Sequence, residues 1–128
     1  MAYTFNKTVE GSFDEVKNIV IDALKAEKFG VISEINFSGI IKTKLEKDIQ
    51  RYEILGACSP KFAFEAVMED EDMGAFLPCN VTLNEKEEGK VKVSIVNPIP
   101  YMMAVENEKV KALASEVADA LKRVSESL

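Results

Sequence analysis

The two cysteines of the chain stand in similar contexts, each close to a proline. The sequence reads Cys58-Ser59-Pro60 at one end of a short segment and Pro78-Cys79-Asn80 at the other. Two thiols that meet in space can carry out dithiol redox chemistry or sulfur transfer, or bind a soft metal ion. A thiol near the start of a helix also feels the helix dipole, which favours the reactive thiolate. The two thiols are therefore the first candidates for a functional site.

Two methionines add further sulfur close to a proline-containing turn. Met102 and Met103 are adjacent in the sequence, and thioether sulfur is a ligand that Cu(I) accepts. Packing is the competing interpretation, because free cysteine is among the most buried residue types and methionine commonly fills gaps in a core. Neither cysteine belongs to a Cys-x-x-Cys pair. Both interpretations stay open at the level of sequence.

The composition removes most templates for catalysis. The chain of 128 residues contains no histidine, which excludes Ser-His-Asp and Cys-His triads and every metal site that depends on histidine. Neither of the common Gly-rich phosphate-binding loops is present. Whether the protein is an enzyme, and which cofactor it uses, stay unknown from the sequence.

The charge and the termini point to a cytoplasmic protein. The net charge is −6, which argues against nucleic acids and anionic membranes as partners, since both require clustered Lys and Arg. No apolar run approaches the ~20 residues that span a bilayer. The N-terminal stretch lacks the basic and apolar regions of a secretion signal. We expect a cytoplasmic location, where both cysteines stay reduced.

The pattern of apolar residues predicts the elements that position the thiols. Ser12 to Glu15 form a capping box at the start of a helix, and Gly30 marks its end. Asn107 caps a long final helix with a continuous apolar stripe. The predicted strands are 3–9, 31–37, 51–58 and a hairpin with strands starting at 79 and 91, with a helix starting at Pro60; residues 38–47 fit either a short helix or an edge strand. This order predicts one α+β domain over residues 1–128, a two-layer sandwich with an antiparallel sheet and helices mainly on one face.

Alternation within the third strand assigns its two faces. Tyr52, Ile54 and Cys58 share one phase, which we assign to the core, whereas Leu55 and Ala57 share the other phase with Val96 of the hairpin. That outer phase is more apolar than strand faces exposed to water usually are. We therefore expect a symmetric homodimer that buries part of this face.

The segment around the cysteines resembles a known family. The motifs ILGACSP and LPCNV, followed by a hairpin and then by NP and MM, resemble the family called domain of unknown function 302, over nearly the whole chain. The resemblance implies a small prokaryotic α+β domain with a layout similar to the TATA-binding-protein-like sandwich and with no established activity. The family pattern has asparagine where Ser59 stands and aspartate where Asn97 stands.

The motif positions carried over by this resemblance are Gly56, Cys58, Pro60, Leu77, Pro78, Cys79 and Asn80. The prolines have structural explanations, so Asn80 and the two thiols remain as the candidates for a chemical role. We expect a module that binds a small molecule or a partner, with a site near Cys58, Cys79, Asn80, Met102 and Met103 and no assigned metal. The alternative is a protein of thiol redox chemistry, sulfur transfer or soft-metal binding.

The turn between the two cysteines predicts their placement. One short helix and a loop separate Cys58 from Cys79, and an antiparallel return brings the chain back towards its starting edge. We expect the two residues to be neighbours at one end of the sheet, both as free thiols.

Overall fold

The computed structural model describes residues 2–128. Strands and helices alternate along much of this part of the chain. The strands are β1 (Thr4–Glu10), β2 (Gly30–Asn36), β3 (Tyr52–Cys58), β4 (Cys79–Glu87) and β5 (Lys90–Val96); the helices are α1 (Phe13–Ala26), α2 (Phe37–Leu45), α3 (Pro60–Glu69), a 3-10 helix (Glu71–Phe76), α4 (Ile99–Met102) and α5 (Glu108–Ser127).

The five strands form one sheet in the order β1-β5-β4-β3-β2. Every pair of neighbouring strands is antiparallel. The first strand, β1, therefore pairs with the last one, β5, and forms one edge of the sheet. Strand β2 forms the opposite edge. The predicted α+β fold with an antiparallel sheet is confirmed.

The assignment of the two faces of β3 was wrong. Leu55 and Ala57 are fully buried, and Leu55 lies opposite Val81 in the register, which in turn lies opposite Ile95. These residues line the helix-covered face of the sheet. Tyr52 and Ile54, predicted to point inward, occupy the other phase, which we call the open face. The apolar outer phase that suggested a homodimer therefore retains only Val96.

Helices α1 and α5 cover the buried face of the sheet. The Ser12 hydroxyl accepts a hydrogen bond from the Glu15 amide at 3.2 Å, which confirms the serine half of the predicted capping box of α1; within residues 2–128 the return bond from the Glu15 side chain to the Ser12 amide is not formed. The helix ends at Ala26 rather than at Gly30, because Lys28 already adopts a left-handed conformation with φ of 67°. The fully buried side chains of α1 are Val16, Val20 and Leu24.

Helix α5 supplies the second half of this layer. The Asn107 side chain accepts hydrogen bonds from the Lys109 and Val110 amides at 3.0 and 3.1 Å, so the predicted cap is confirmed. The C-terminal half of the helix packs on the sheet through Val117, Leu121 and Val124. Its N-terminal half extends beyond the sheet and contacts α3 and α4. A second, smaller apolar cluster forms there, from Ala66, Met73, Met102, Val110 and Ala114.

Residues 38–47, ambiguous in sequence, belong to helix α2. The ring of Phe37 lies edge-on to that of Tyr52 with centroids 5.3 Å apart, and the Ser38 hydroxyl accepts a hydrogen bond from the Tyr52 amide at 3.1 Å. Since Tyr52 points to the open face, α2 lies on the side away from α1 and α5. None of its residues is buried.

A charged residue is buried between α1 and the sheet. Glu53 shares the inner phase of β3 with Leu55 and is only 7% exposed. Its carboxylate accepts hydrogen bonds from the Lys17 ammonium at 2.8 Å and from the Arg51 guanidinium at 3.0 and 3.2 Å. Hydrogen bonds to Glu34 and Glu53 raise the pKa of Lys17. Burial of this charge is tolerated because it is paired twice.

Candidate functional site

The two cysteines are neighbours on adjacent strands. Cys58 ends β3 and Cys79 begins β4, and the register places Ala57 directly opposite Cys79. Both residues are free thiols. The predicted adjacency is confirmed. It arises because α3, the 3-10 helix and the loop after it return the chain to the strand end from which it left.

The two thiols differ in environment. Cys79 lies in the inner phase with Val81 and Leu83 and is 7% exposed, whereas Cys58 is half-buried. By strand alternation Cys58 belongs to the phase of Gly56 and Ile54, so the prediction that both thiols share the inner phase was wrong for Cys58. The two cysteines therefore lie at the same end of the sheet, with Cys79 on the helix-covered face and Cys58 in the opposite strand phase.

The prolines beside the cysteines have separate structural roles. Pro60 is the first residue of α3, where a missing amide hydrogen costs nothing. Pro78 follows a cis peptide bond after Leu77. A Cβ atom added to Gly56 would lie only 2.6 Å from Cγ of Pro78, so the proline ring packs directly on the glycine backbone. Matching sequence contexts thus reflect a helix start on one strand and a close strand contact on the next.

A narrow cavity with a volume of about 50 Å³ lies beside Cys79. Its wall combines residues of both apolar clusters with the start of α3 and the 3-10 helix. The lining residues are Phe29, Ala57, Cys58, Ser59, Phe62, Ala63, Ala66, Met73, Phe76, Leu77, Cys79, Pro98, Tyr101, Met102, Val110, Leu113, Ala114 and Val117. None of these eighteen residues is charged.

Two titratable groups of the cavity wall, Cys79 and Tyr101, have raised pKa values. Burial, together with a smaller effect of the nearby Cys58 thiol, raises the pKa of the Cys79 thiol from 9.0 to about 11. Burial is also the main cause that raises the pKa of the Tyr101 phenol well above its ordinary value, followed by the charge of Cys79. The ring of Tyr101 stacks on Phe76, with centroids 5.2 Å apart. Cys79 and Tyr101 are therefore uncharged at neutral pH.

The structure brings together part of the predicted site. Cys58, Cys79 and Met102 line the cavity. Met103 does not; it follows the last residue of α4 and is 69% exposed. Asn80 does not line it either, since the residue after Cys79 falls on the open face. Met103 and Asn80 therefore lie outside the lining of this cavity, and their part in a site stays a prediction.

Asn80 instead borders a wider, shallow groove of about 530 Å³ on the open face. Polar side chains dominate this groove, among them Asn6, Thr82, Lys92 and Ser94. The groove is the larger of the two spaces, but it is a solvated strand face without convergent buried groups. The cavity beside Cys79 is the better candidate because its wall is almost entirely apolar and contains a few polar and sulfur groups.

Sequence reasoning missed three polar or sulfur-bearing residues of the cavity wall. Met73 lies in the acidic stretch that follows α3, where no apolar periodicity marks it, and it is 4% exposed. Tyr101 precedes the two methionines and was assigned no role. Ser59 was considered only as a helix start. The residue is 7% exposed, and its hydroxyl makes no capping hydrogen bond. The position of Tyr101 beside a predicted ligand is the one signal that could have identified it.

The departure at Asn97 has a structural explanation. The Asn97 side-chain amide donates a hydrogen bond to the Ala2 carbonyl at 2.9 Å, while its oxygen accepts one from the Ile99 amide at 3.2 Å. A carboxylate at this position could make only the second bond, because it has no hydrogen to donate. Asn97 therefore serves to fix the start of β1 and the turn after β5.

Comparisons with known proteins identify relatives of this fold. The profile of a family described as "Domain of unknown function DUF302" matches residues 5–128. A crystal structure of an uncharacterized conserved DUF302 protein from Bacillus stearothermophilus has a TM-score of 0.89, with 21% sequence identity over 99% of this chain and 98% of that one. None of the curated proteins compared with the chain matches it. Within residues 2–128, no helix has the length and apolar character needed to cross a membrane.

Proposed function

The chain belongs to the DUF302 family, whose description names no activity, and from this premise and the geometry of the cavity we propose that it is a small-ligand-binding protein. The binding site is the cavity beside Cys79, and the ligand is uncharged once bound. A cytoplasmic location is part of the proposal, as is one domain over residues 1–128.

The absence of charge from the cavity wall carries this proposal. Charged residues make up 30% of the sequence, so a random sample of eighteen residues would contain about five. A charged ligand in this wall would be desolvated without a partner, which costs several kcal/mol or more. Nucleotides, phosphates and free carboxylates are therefore poor ligands, whereas uncharged molecules are favoured.

The volume of the cavity limits the size of the ligand. A water-sized sphere requires roughly 10–15 Å³ on this kind of measure, and an apolar cavity of about 150 Å³ accommodates benzene. The volume here is about 50 Å³, so the cavity holds only a few atoms. A larger molecule would extend to the stacked pair of Phe76 and Tyr101, where Phe76 is 41% exposed.

Thiol chemistry is the second proposal and the weaker one. The adjacency of Cys58 and Cys79 supports it. The raised pKa of Cys79 opposes it, because a thiol with a pKa of about 11 is ionised to only about one part in 10⁴ at pH 7. The thiolate is the nucleophile in disulfide exchange and in sulfur transfer. A ligand that does not require a free thiolate therefore suits this site better.

A homodimer remains a proposal on a different basis. Helix α2 has nine residues and none is buried, although isolated helices shorter than about 12–15 residues are marginal in water. Ile40 and Leu45 of α2 are 45% and 58% exposed. A second copy that packs on α2 would cover them. Light scattering at high micromolar concentration tests this proposal. Wild-type protein that stays monomeric at every concentration would contradict it.

Native mass spectrometry tests the binding proposal. Protein is isolated from cells under mild conditions, as wild type and as the variant Ala114→Val, which adds two methyl groups to the cavity wall. Ala112→Val is the matched control, since Ala112 lies on the same helix and is exposed. We expect a retained mass in wild type and in the control and its loss in Ala114→Val. A mass that persists in Ala114→Val, or none in wild type, would contradict the proposal.

A further inference from the structure

Side-chain oxygen is scarce in the wall of the cavity. Among its eighteen lining residues, two carry an oxygen atom in the side chain, Ser59 and Tyr101. Ser59 is only 7% exposed, whereas Tyr101 is half-buried in its stacked pair with Phe76. Ser59 is therefore the more deeply buried of the two residues whose side chains could hold a ligand through an oxygen atom.

The Ser59 hydroxyl has no protein partner. Ser59 stands at the N-cap of α3 and has the extended backbone of a capping residue, with φ of −97° and ψ of 107°, yet its side chain makes no capping hydrogen bond. Within residues 2–128 its hydroxyl makes no other hydrogen bond, and no side-chain oxygen there is both unpartnered and sealed from solvent. The hydroxyl therefore keeps some accessible surface, and the cavity is the space that Ser59 lines.

The start of α3 adds partial positive charge at the same place. Pro60 has no amide hydrogen, and the Ala63 amide is the first in the helix to donate to the turn before it, to the Ser59 carbonyl at 2.9 Å. The amides of Lys61 and Phe62 come earlier, and neither donates to the Ser59 side chain. Such amides concentrate partial positive charge at the N-terminus of a helix. A ligand atom with partial negative charge is therefore favoured beside Ser59.

We propose that the ligand of this cavity is an uncharged molecule with a carbonyl oxygen, and that this oxygen accepts a hydrogen bond from the Ser59 hydroxyl at the start of α3. The inference rests on the proposed function, because it names the class of ligand that the same cavity takes.

A carbonyl oxygen suits this wall better than other oxygen groups do. It accepts hydrogen bonds and brings no hydrogen that needs a partner of its own, whereas an unpaired ligand hydroxyl in an apolar wall would lose its hydrogen bond to water. A carboxylate would bring a full negative charge, while a helix N-terminus offers roughly half a charge. No lining residue is charged, so the desolvation of a carboxylate would be poorly offset. Ketones, aldehydes and esters meet these conditions.

Acetone and isobutene form a matched pair of probes. Isobutene has the shape of acetone with a CH₂ group in place of the oxygen, so a change that affects acetone alone reports on that oxygen. Both molecules are of the few-atom size that a cavity of about 50 Å³ holds. Titration of the full chain, followed by the NMR shifts of amides in the cavity wall, measures both affinities.

Four variants separate the hydroxyl from the packing around it. Ser59→Ala removes the hydroxyl, Ser59→Thr keeps one, and Tyr101→Phe removes the other oxygen of the wall. Ser115→Ala is the matched control, since Ser115 is exposed on α5 and does not line the cavity. Thermal unfolding followed by circular dichroism should give Ser59→Ala a midpoint close to that of wild type, because the hydroxyl makes no capping bond.

The two probes should respond differently to the loss of the hydroxyl. We expect Ser59→Ala to weaken acetone binding by about three- to tenfold, which corresponds to one net hydrogen bond, and to leave isobutene binding within about twofold of wild type. Ser59→Thr should recover most of the acetone affinity. Tyr101→Phe and Ser115→Ala should bind both probes as wild type does.

Specific outcomes would overturn the inference. Unchanged acetone binding in Ser59→Ala, or an equal loss of both probes, would show that the hydroxyl holds no ligand oxygen, and a loss of acetone in Tyr101→Phe alone would assign the oxygen to the phenol. Isobutene binding that Ala114→Val removes, together with any of these results, would leave the proposed function standing. Failure of wild type to bind either probe would reject the proposed function and the inference together.

Discussion

Alkaline pH should destabilise the protein through Cys79. The folded chain holds the proton of this thiol up to a pKa of about 11, because the side chain is buried and lies near Cys58, whereas the ordinary value is 9.0. Below pH 9 both the folded and unfolded chains keep the proton, so the stability is fully present. Between pH 9 and 11 the unfolded chain loses it first, and the free energy of unfolding falls. The full loss is about 2.7 kcal/mol, from two pKa units at about 1.36 kcal/mol each.

The assay is urea unfolding at pH 8 and pH 10 under reducing conditions, followed by circular dichroism. By pH 10 the loss through Cys79 should reach about 1.4 kcal/mol, which is one pKa unit. The variant Cys79→Ala should lack this part of the loss, while Met102→Leu, a change in the same cavity wall without a titrating group, should keep it. An equal fall of the unfolding free energy in wild type and Cys79→Ala would refute the reasoning.

Two further substitutions test the packing around the site. Gly56→Ala should lower the free energy of unfolding by about 1–3 kcal/mol, because the new Cβ atom would lie 2.6 Å from the ring of Pro78. Chemical denaturation measures this loss. Gly30→Ala is the control and should change little, since its Cβ atom would meet nothing within 4 Å. Glu53→Gln should cost about 1.5–3 kcal/mol, since it removes the buried charge that pairs with Lys17 and Arg51; a stability equal to that of wild type would show that the ion pairs contribute nothing.

Local signals predicted most of the elements correctly. The cap at Ser12 and the cap at Asn107 depend on residues within one helical turn, and both are present in the structure. The proline at position 60 likewise marks the start of α3. Such features need no knowledge of distant contacts, because the groups that satisfy one another are close in sequence.

The faces of β3 could not be predicted from alternation alone. Both phases of Tyr52–Cys58 contain apolar residues, and the inner phase also contains the charged residue Glu53. Only the tertiary contacts of Lys17 and Arg51 explain why this carboxylate is buried. A charged residue inside a strand can therefore reverse the assignment of a face when its partners come from other elements.

The candidate site was predicted where it depended on chain reversal and missed where it depended on packing. Cys58 and Cys79 meet because the helix between them returns the chain. Met73 joins the cavity wall because it packs with Val110 and Ala114 of α5 in the second apolar cluster, whereas Met103, just after α4, is exposed. These positions are set by contacts among α3, α4 and α5, for which the sequence shows no periodic signal.

Xenon binding followed by NMR is the most direct test of the central claim that the cavity beside Cys79 receives a small uncharged ligand. Xenon enters apolar cavities without specific polar contacts, so it measures the space itself. We predict saturable shifts in wild type at residues of the cavity wall, the same shifts in Ala112→Val, and their loss in Ala114→Val. Saturable binding that survives Ala114→Val, or no binding in wild type, would contradict the account.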